Sequence, residues 1–140
     1  MTSCANKDDV HRRFLEGVEL FNRKEFFECH EILEEVWNAQ EEPEKQLTQG
    51  LIQVAVGFYH ALRGNKVGAI KLFTRGLPRI RPFATPDSAD PTVAAIASSN
   101  SQELTLFIGI VERNLQLLEN SAPETDVSSL KFDIPTLQLR

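Results

Sequence analysis

A histidine and a glutamate lie one helical turn apart in the segment Phe26–Trp37, which reads Phe-Phe-Glu-Cys-His-Glu-Ile-Leu-Glu-Glu-Val-Trp. The helical repeat of about 3.6 residues places His30 and Glu34 at the edge of the apolar face of this helix. The other acidic side chains fall on the opposite side: Glu28, Glu31 and Glu35. An imidazole and a carboxylate at an apolar margin can bind a metal, transfer a proton or form a structural pair.

The string His-Glu-x-x-Glu resembles the zinc signature His-Glu-x-x-His, whose two ligands at i and i+4 share a helix face. Glu34 is then the second ligand, and Glu31 or Glu34 is the general base. A third ligand must come from another element, and His60 is the candidate. This hypothesis predicts a divalent metal such as zinc or manganese at His30, Glu34 and His60.

A neutral polar strip follows on the next helix, formed by Gln46, Gln49, Gln53 and His60. Because the strip carries no formal charge, it indicates partial burial, where each side chain needs a hydrogen-bond partner. If the strip faces the preceding helix, Glu34 can accept hydrogen bonds from it. The alternatives to a metal site are a satisfied polar cluster that fixes helix register and metal-free acid–base chemistry.

A basic strip recurs every fourth residue further along the chain, at Lys71, Arg75 and Arg79. Three interpretations remain open for it: a solvated helix face, a site for an anionic ligand, and a surface that meets the acidic side of the first segment. Trp37, at the end of that segment, is predicted to be a packing anchor of the core.

Composition is that of one soluble domain, with 140 residues, 41% hydrophobic and 25% charged. The net charge of −5 argues against binding to nucleic acid or to an anionic membrane. Cys4 and Cys29 are too few for a disulfide framework, so we expect reduced thiols in the cytoplasm. No apolar stretch follows Met1 as in a secretory signal, and the apolar run at residues 50–62 is shorter than the ~20 residues of a membrane helix.

Apolar spacing predicts an all-α fold, a single-domain antiparallel bundle of about five helices. The predicted helices start near Val10, Glu25, Pro43, Val67 and Ser101. Pro78 is expected to bend or end the fourth helix, and residues 82–100 are expected to form a long connection with a short helix at 92–97. The predicted organisation is a frayed N-terminus at 1–9, the bundle at 10–119, and a tail at 120–140 whose residues 132–137 dock in extended form.

Two parts of the chain, residues 17–34 and 62–73, each resemble a tetratricopeptide helix pair. Aligning them at a spacing of 39 residues places His30 where Ala69 lies, a position that is normally small and packed.

The segment Phe26–Trp37, the string Gln49-Gly-Leu-Ile-Gln, His60 and the string Gly64-Asn-Lys-Val-Gly-Ala together resemble the family called domain of unknown function three hundred and nine. The resemblance covers about Phe14 to Ile80. It implies a small all-helical domain of bacterial or plastid type, and this family has been labelled a predicted metal-dependent hydrolase. The positions it marks in this sequence are His30, Glu31, Glu34, Trp37, Gln49, Gln53 and His60.

Two functions of different class follow. In the first, the protein is a binding or interaction module whose polar cluster is structural and whose helix surfaces engage a protein partner or a second copy. In the second, it is a metal-dependent hydrolase with His30, Glu34 and His60 as ligands and Glu31 or Glu34 activating a metal-bound water. The hydrolase also needs a cleft and an open coordination position.

Overall fold

The computed structural model describes residues 6–140, so Cys4 and residues 1–5 of the predicted frayed N-terminus lie outside the described residues. Five α-helices follow one another along the described chain: α1 Lys7–Asn22, α2 Phe26–Ala39, α3 Glu44–Leu62, α4 Lys66–Ile80 and α5 Pro91–Glu119. Single 3-10 turns lie at Arg81–Ala84 and Val127–Ser129, and residues 6–140 contain no strand. The predicted all-α fold is confirmed. No helix within this range is both long enough and apolar enough to cross a membrane.

α1 begins three residues before the predicted start at Val10. The side chain of Asn6 accepts a hydrogen bond from the backbone N–H of Asp9 at 2.8 Å and so caps the helix. Asp8 and Asp9 place negative charge at the positive end of the helix dipole. The polar residues just before Val10 are therefore typical of a helix start.

Helices α1–α4 form two hairpins of the same construction, displaced by 40 residues along the chain. Each hairpin turns through one residue with positive φ, Lys24 at 65° in the first and Gly64 at 82° in the second. In the first turn the N–H of Glu25 donates to the carbonyl of Leu20, and in the second the N–H of Asn65 donates to the carbonyl of His60. The same backbone path is thus formed twice.

This displacement corrects the predicted spacing of 39 residues. At 40 residues, Cys29 rather than His30 lies in the position of Ala69, and both small side chains are completely buried. His30 corresponds instead to Ile70, at the half-buried margin. The two turns have the same length, so the displacement of 40 residues applies to both helices of each hairpin.

Close packing within each hairpin repeats at the same displacement. A Cβ added to Gly17 would lie 2.5 Å from a methyl carbon of Leu33, and a Cβ added to Gly57 would lie 2.7 Å from the ring of Phe73. In both hairpins a glycine of the first helix therefore receives a large apolar side chain of the second. Gly57 thus allows α3 and α4 to approach closely.

Two helix boundaries near prolines differ from the predicted ones. α4 continues through Pro78 to Ile80, and Pro78 itself is exposed, where a carbonyl without a helical partner can bond to water. α5 begins at Pro91, ten residues before the predicted Ser101, and no long connection is present. The side chain of Asp90 accepts hydrogen bonds from Thr92 and Val93, and proline suits the first helical position.

Phenylalanine rings join the hairpins into one core. Phe58 of α3 lies 5.6 Å from Phe26 of α2 between ring centroids, in a stacked contact. Phe21 of α1 lies 5.5 Å from Phe107 of α5. α5 thus contacts helices of both hairpins, α4 and, through Phe107, α1.

Candidate functional site

The predicted pair forms on the surface of α2. The Nε2 atom of His30 and the Oε2 atom of Glu34 are 2.8 Å apart. The histidine side chain is 31% exposed and the glutamate side chain 56% exposed. The ring of Phe27 lies 6.0 Å from the imidazole. An i,i+4 pair with this exposure stabilises a helix by a few tenths of a kcal/mol.

The surface around this pair is an open depression of about 310 Å³ lined by His30, Glu31, Glu34, Glu35 and Asn38. All of these side chains belong to α2. Because one helix cannot surround a substrate, the depression lacks the opposite wall that a catalytic pocket requires. The geometry supports a surface role for the pair.

The structure does not bring His60 to His30 and Glu34. The Nδ1 atom of His60 lies 3.3 Å from the side-chain nitrogen of Asn65 in the turn between α3 and α4. Among the residues that the structure describes, no three His, Cys, Asp or Glu side chains are arranged to hold a metal ion. A structural zinc takes four protein ligands and a catalytic zinc takes three. The donors at His30 and Glu34 therefore do not fit the predicted zinc or manganese ion.

The glutamine strip faces α4 and not α2. Arg79 donates from Nε to Gln53 Oε1 at 3.1 Å and from Nη1 to Gln46 Oε1. Gln46 in turn donates to Glu42 at 3.1 Å. Gln49 is half-buried on the same helix. Partial burial is confirmed for this strip, but its hydrogen-bond partner is a guanidinium on α4.

Trp37 is half-buried at the end of α2. The ammonium group of Lys45 lies over its ring, 4.1 Å from the centroid. Val36 is the buried residue of this last turn. The predicted anchor is thus an aromatic residue at the edge of the core with a cation on its face.

Two exposed helix faces, one on α2 and one on α4, carry related patterns of side chains. The outer face of α2 is defined here by Phe27, Glu31 and Glu35, and the outer face of α4 by Val67, Lys71 and Arg75. These residues occupy equivalent positions at the displacement of 40, and all are exposed. Phe27 is 50% and Val67 78% exposed, although both are apolar. Each face thus carries one exposed apolar residue followed by two charges of a single sign.

The charges of the two outer faces are opposite. Residues 25–44 contain eight acidic residues and no lysine or arginine, whereas residues 63–86 contain six basic residues and no acid. Within residues 6–140, no ion pair joins α2 to α4. Glu35 accepts from Arg13 of α1 at 3.3 Å, and Glu31 has no ion pair among the described residues. The basic strip and the acidic side of α2 therefore do not meet within one chain.

The sequence contains the signal for this relation, but only at the correct displacement. At 40 residues Phe27, Glu31 and Glu35 align with Val67, Lys71 and Arg75. At 39 residues Lys71 aligns with Ile32, so the opposition of charges is lost. The glycine pair Gly17 and Gly57 would have identified the correct displacement.

Comparison with known proteins places the chain near one uncharacterised family. The model of the family "Domain of unknown function (DUF309)" matches residues 14–72, which extend from the middle of α1 to the first half of α4. A relative is the uncharacterized protein YpuF of Bacillus subtilis (strain 168), 43% identical over 63 residues. No solved structure matches. The resemblance to this family is confirmed.

The similarity is partial in both chains. The aligned residues cover 43% of this chain and 35% of YpuF, so this chain spans about a third of the length of that relative. α5 and the residues after it lie outside the matched region. The family match thus ends within the second hairpin, at residue 72.

Proposed function

We propose that this protein is a homotypic interaction module, in which two copies pair through the outer faces of α2 and α4. The observation that carries the proposal is the opposite charge of repeat-equivalent positions: Glu31 against Lys71, and Glu35 against Arg75. Exposed apolar residues at a further equivalent position, Phe27 and Val67, support it. Contact between these two side chains would remove apolar surface from water, which favours association.

A two-fold axis satisfies both faces at once. Because the helices alternate in direction, α2 and α4 run the same way. A two-fold axis parallel to these helices keeps their direction. It also exchanges the positions of α2 and α4 across the interface, so α2 of one copy faces α4 of the other. In the proposed dimer, equivalent positions meet across the interface: Glu31 with the partner's Lys71, Glu35 with the partner's Arg75, and Phe27 with the partner's Val67. The arrangement is closed and self-complementary.

The strength of such an interface follows from its chemistry. Exposed ion pairs contribute about 0–1 kcal/mol each and are screened by salt over a Debye length of about 10 Å at 0.1 M. The apolar contact between Phe27 and the partner's Val67 adds a term that salt does not screen. We therefore expect a dimer that weakens as salt concentration increases, and opposite charges that select the orientation more than they raise the affinity.

Reversal of charge tests the pairing. We expect the wild-type protein to be a dimer in sedimentation equilibrium at low salt. The variants Glu31→Lys/Glu35→Lys and Lys71→Glu/Arg75→Glu each place like charges together and should be monomers. An equimolar mixture of the two should form a heterodimer, because both contacts become complementary again. The fourfold variant that exchanges all four charges should recover the homodimer.

A control variant changes charge equally without touching either face. Glu19 and Glu124 are exposed and lie outside α2 and α4, so Glu19→Lys/Glu124→Lys should remain a dimer. A wild-type protein that is monomeric at every salt concentration would overturn the proposal. A dimer that survives both reversals would equally exclude these faces as the interface.

A further inference from the structure

Residues 131–140, which follow α5 and are called the strap here, run along the bundle in extended form without a helix. Three asparagines hold the strap, and each one pairs with both the N–H and the C=O of a single strap residue. They lie on two helices, one on α1 and two on α5: Asn22, Asn100 and Asn114.

The hydrogen bonds are of the same form at all three places. Asn22 accepts from the N–H of Leu137 at 2.7 Å and donates to its carbonyl at 2.9 Å. Asn114 accepts from the N–H of Asp133 at 3.0 Å and donates to its carbonyl at 2.6 Å. Asn100 does the same for the N–H and carbonyl of Arg140, at 2.8 and 3.4 Å.

The spacing of these contacts is that of an extended chain laid antiparallel on a helix. From Asp133 to Arg140 the strap advances seven residues, which at about 3.3 Å each is ~23 Å. From Asn114 back to Asn100 the helix covers fourteen residues, which at about 1.5 Å each is ~21 Å. The two lengths agree, so α5 offers one asparagine near each end of the extended strap.

Recognition of this kind does not depend on the side chains of the bound strand. The asparagines contact only peptide groups, and a further contact runs from the N–H of Gln138 to Glu103 at 3.1 Å. Asn100 and Asn114 are buried, and the side-chain amide of each also donates a hydrogen bond to the backbone carbonyl four residues earlier in α5. Their remaining donor and acceptor thus point at the strap.

Apolar side chains of the strap supply the selectivity. Leu137 is buried, and its neighbours are partly buried against the core: Phe132, Ile134 and Leu139. Leu139 lines a cavity of about 110 Å³ together with Phe14 and Ile96. A strand that fits this surface needs a leucine-sized residue at the position of Leu137. It also needs apolar residues at or near the positions two residues before and two residues after that leucine.

We propose that the groove between α1 and α5 is a binding site for an extended polypeptide segment, with the strap as its resident occupant in the free protein. A segment of like pattern from another polypeptide can then replace the strap, because the peptide-group contacts are the same for both. This inference is independent of the homotypic pairing, which uses the outer faces of α2 and α4.

Occupancy by the strap sets how the site responds. A covalently attached segment has an effective concentration on the order of 1 mM at its site, so a free peptide must compete with it. Weakening the strap without changing the groove should therefore raise the affinity for a free peptide. Leu137→Asp removes the buried apolar contact of the strap and leaves every asparagine in place.

The test uses the full-length chain and a fluorescein-labelled peptide with the sequence of residues 130–140. In fluorescence anisotropy we expect the Leu137→Asp protein to bind this peptide at least about tenfold more tightly than the wild type does. Adding Asn22→Ala to that protein should weaken binding by about tenfold, because two hydrogen bonds to the peptide are lost. Adding Asn38→Ala, an exposed asparagine of α2, should have no effect.

A peptide that carries aspartate in place of Leu137 is the matched ligand control and should not bind. Failure of the folded Leu137→Asp protein to bind the leucine peptide would overturn the proposal. Equal binding of the peptide with and without Asn22 would do the same.

A second design applies if Leu137→Asp lowers the helix content. A protease site placed in the exposed residues 122–124 of the otherwise wild-type chain separates the strap from the bundle after folding. Retention of the cut strap in gel filtration, followed by its exchange for the labelled peptide, supports the proposal. A folded bundle that has lost the strap and takes up no peptide refutes it.

Discussion

Cys29 and His30 are neighbours in the chain but lie in opposite environments. The thiol of Cys29 is buried between the helices of the first hairpin, and burial raises its pKa to about 12. His30 lies at the surface beside Glu34. The buried thiol is a packing group whose high pKa suppresses its reactivity, since the thiolate is the nucleophilic form.

The pKa of Cys29 predicts a specific pH dependence of stability. The unfolded thiol loses its proton near pH 9, whereas the folded one keeps it to about pH 12, so the free energy of unfolding should fall as pH rises above 9. Between pH 8 and 10 the wild type should lose about 1.4 kcal/mol more than Cys29→Ala, measured by urea unfolding. Cys4 is present in both proteins and cancels. Parallel pH profiles would contradict the assignment.

At the scale of elements, the helices meet through small residues placed at equal positions in each hairpin. Gly57 faces the ring of Phe73 without room for a methyl group, whereas the Cβ position of Gly109 in α5 has no neighbouring atom within 4 Å. Gly57 is therefore needed for the close approach of two helices, whereas packing does not require a glycine at position 109.

Alanine at these two glycines should change stability in opposite directions. Gly57→Ala forces the buried Phe73 to move and should destabilise the protein by about 1–3 kcal/mol. Gly109→Ala should stabilise it by up to about 1 kcal/mol, since alanine favours a helix where space is free. Thermal unfolding followed by circular dichroism measures both. A stabilising Gly57→Ala would mean that α3 and α4 are not in close contact.

The elements differ in how far the sequence predicts them. The apolar period of α2 and α3 predicts their existence because each buries a continuous stripe, such as Leu47, Leu51, Val54 and Phe58 of α3. Residues 92–97 of α5 are predicted as a separate short helix, but its continuation into the long helix escaped prediction because Ser98, Ser99 and Asn100 are typical of a loop. Asn100 is helical here since its amide bonds to Ile96 and to the strap, a contact 40 residues distant that no local pattern contains.

The candidate site likewise depends on contacts between helices, which a local sequence pattern does not contain. The helical repeat places His30 and Glu34 one turn apart, where their side chains lie 2.8 Å apart, but the pair lies at the surface and not against the half-buried glutamines. The repeat does not say which neighbour covers a helix face. Gln46 and Gln53 turn to Arg79 of α4 because α3 packs most closely there, through Gly50 and Gly76.

At the scale of the whole molecule, the strap fastens the first helix to the last. Asn22 of α1 and Asn114 of α5 bind the same extended segment, and Leu137 fills the space between them. The rings of Phe21 and Phe107 join the same two helices from inside. The bundle is thus closed around the hairpins by a segment that contributes no helix of its own.

Hydrogen exchange should show this fastening residue by residue. The amides of Asp133, Leu137 and Arg140 donate to asparagine oxygens and should exchange at least about tenfold more slowly than the amide of exposed Thr136. Exchange measured by NMR on the wild-type protein distinguishes these positions. Uniformly fast exchange from 131 to 140 would mean that the strap is not held by the asparagines.

The repetition of the hairpin has a consequence for the growth of this architecture. The strap and the contact between the rings of Phe21 and Phe107 tie α5 to α1, across both hairpins. A further unit of forty residues between the hairpins would move these two helices apart and break the contacts. The number of hairpins is therefore limited by the length of the strap and not by the hairpin fold itself.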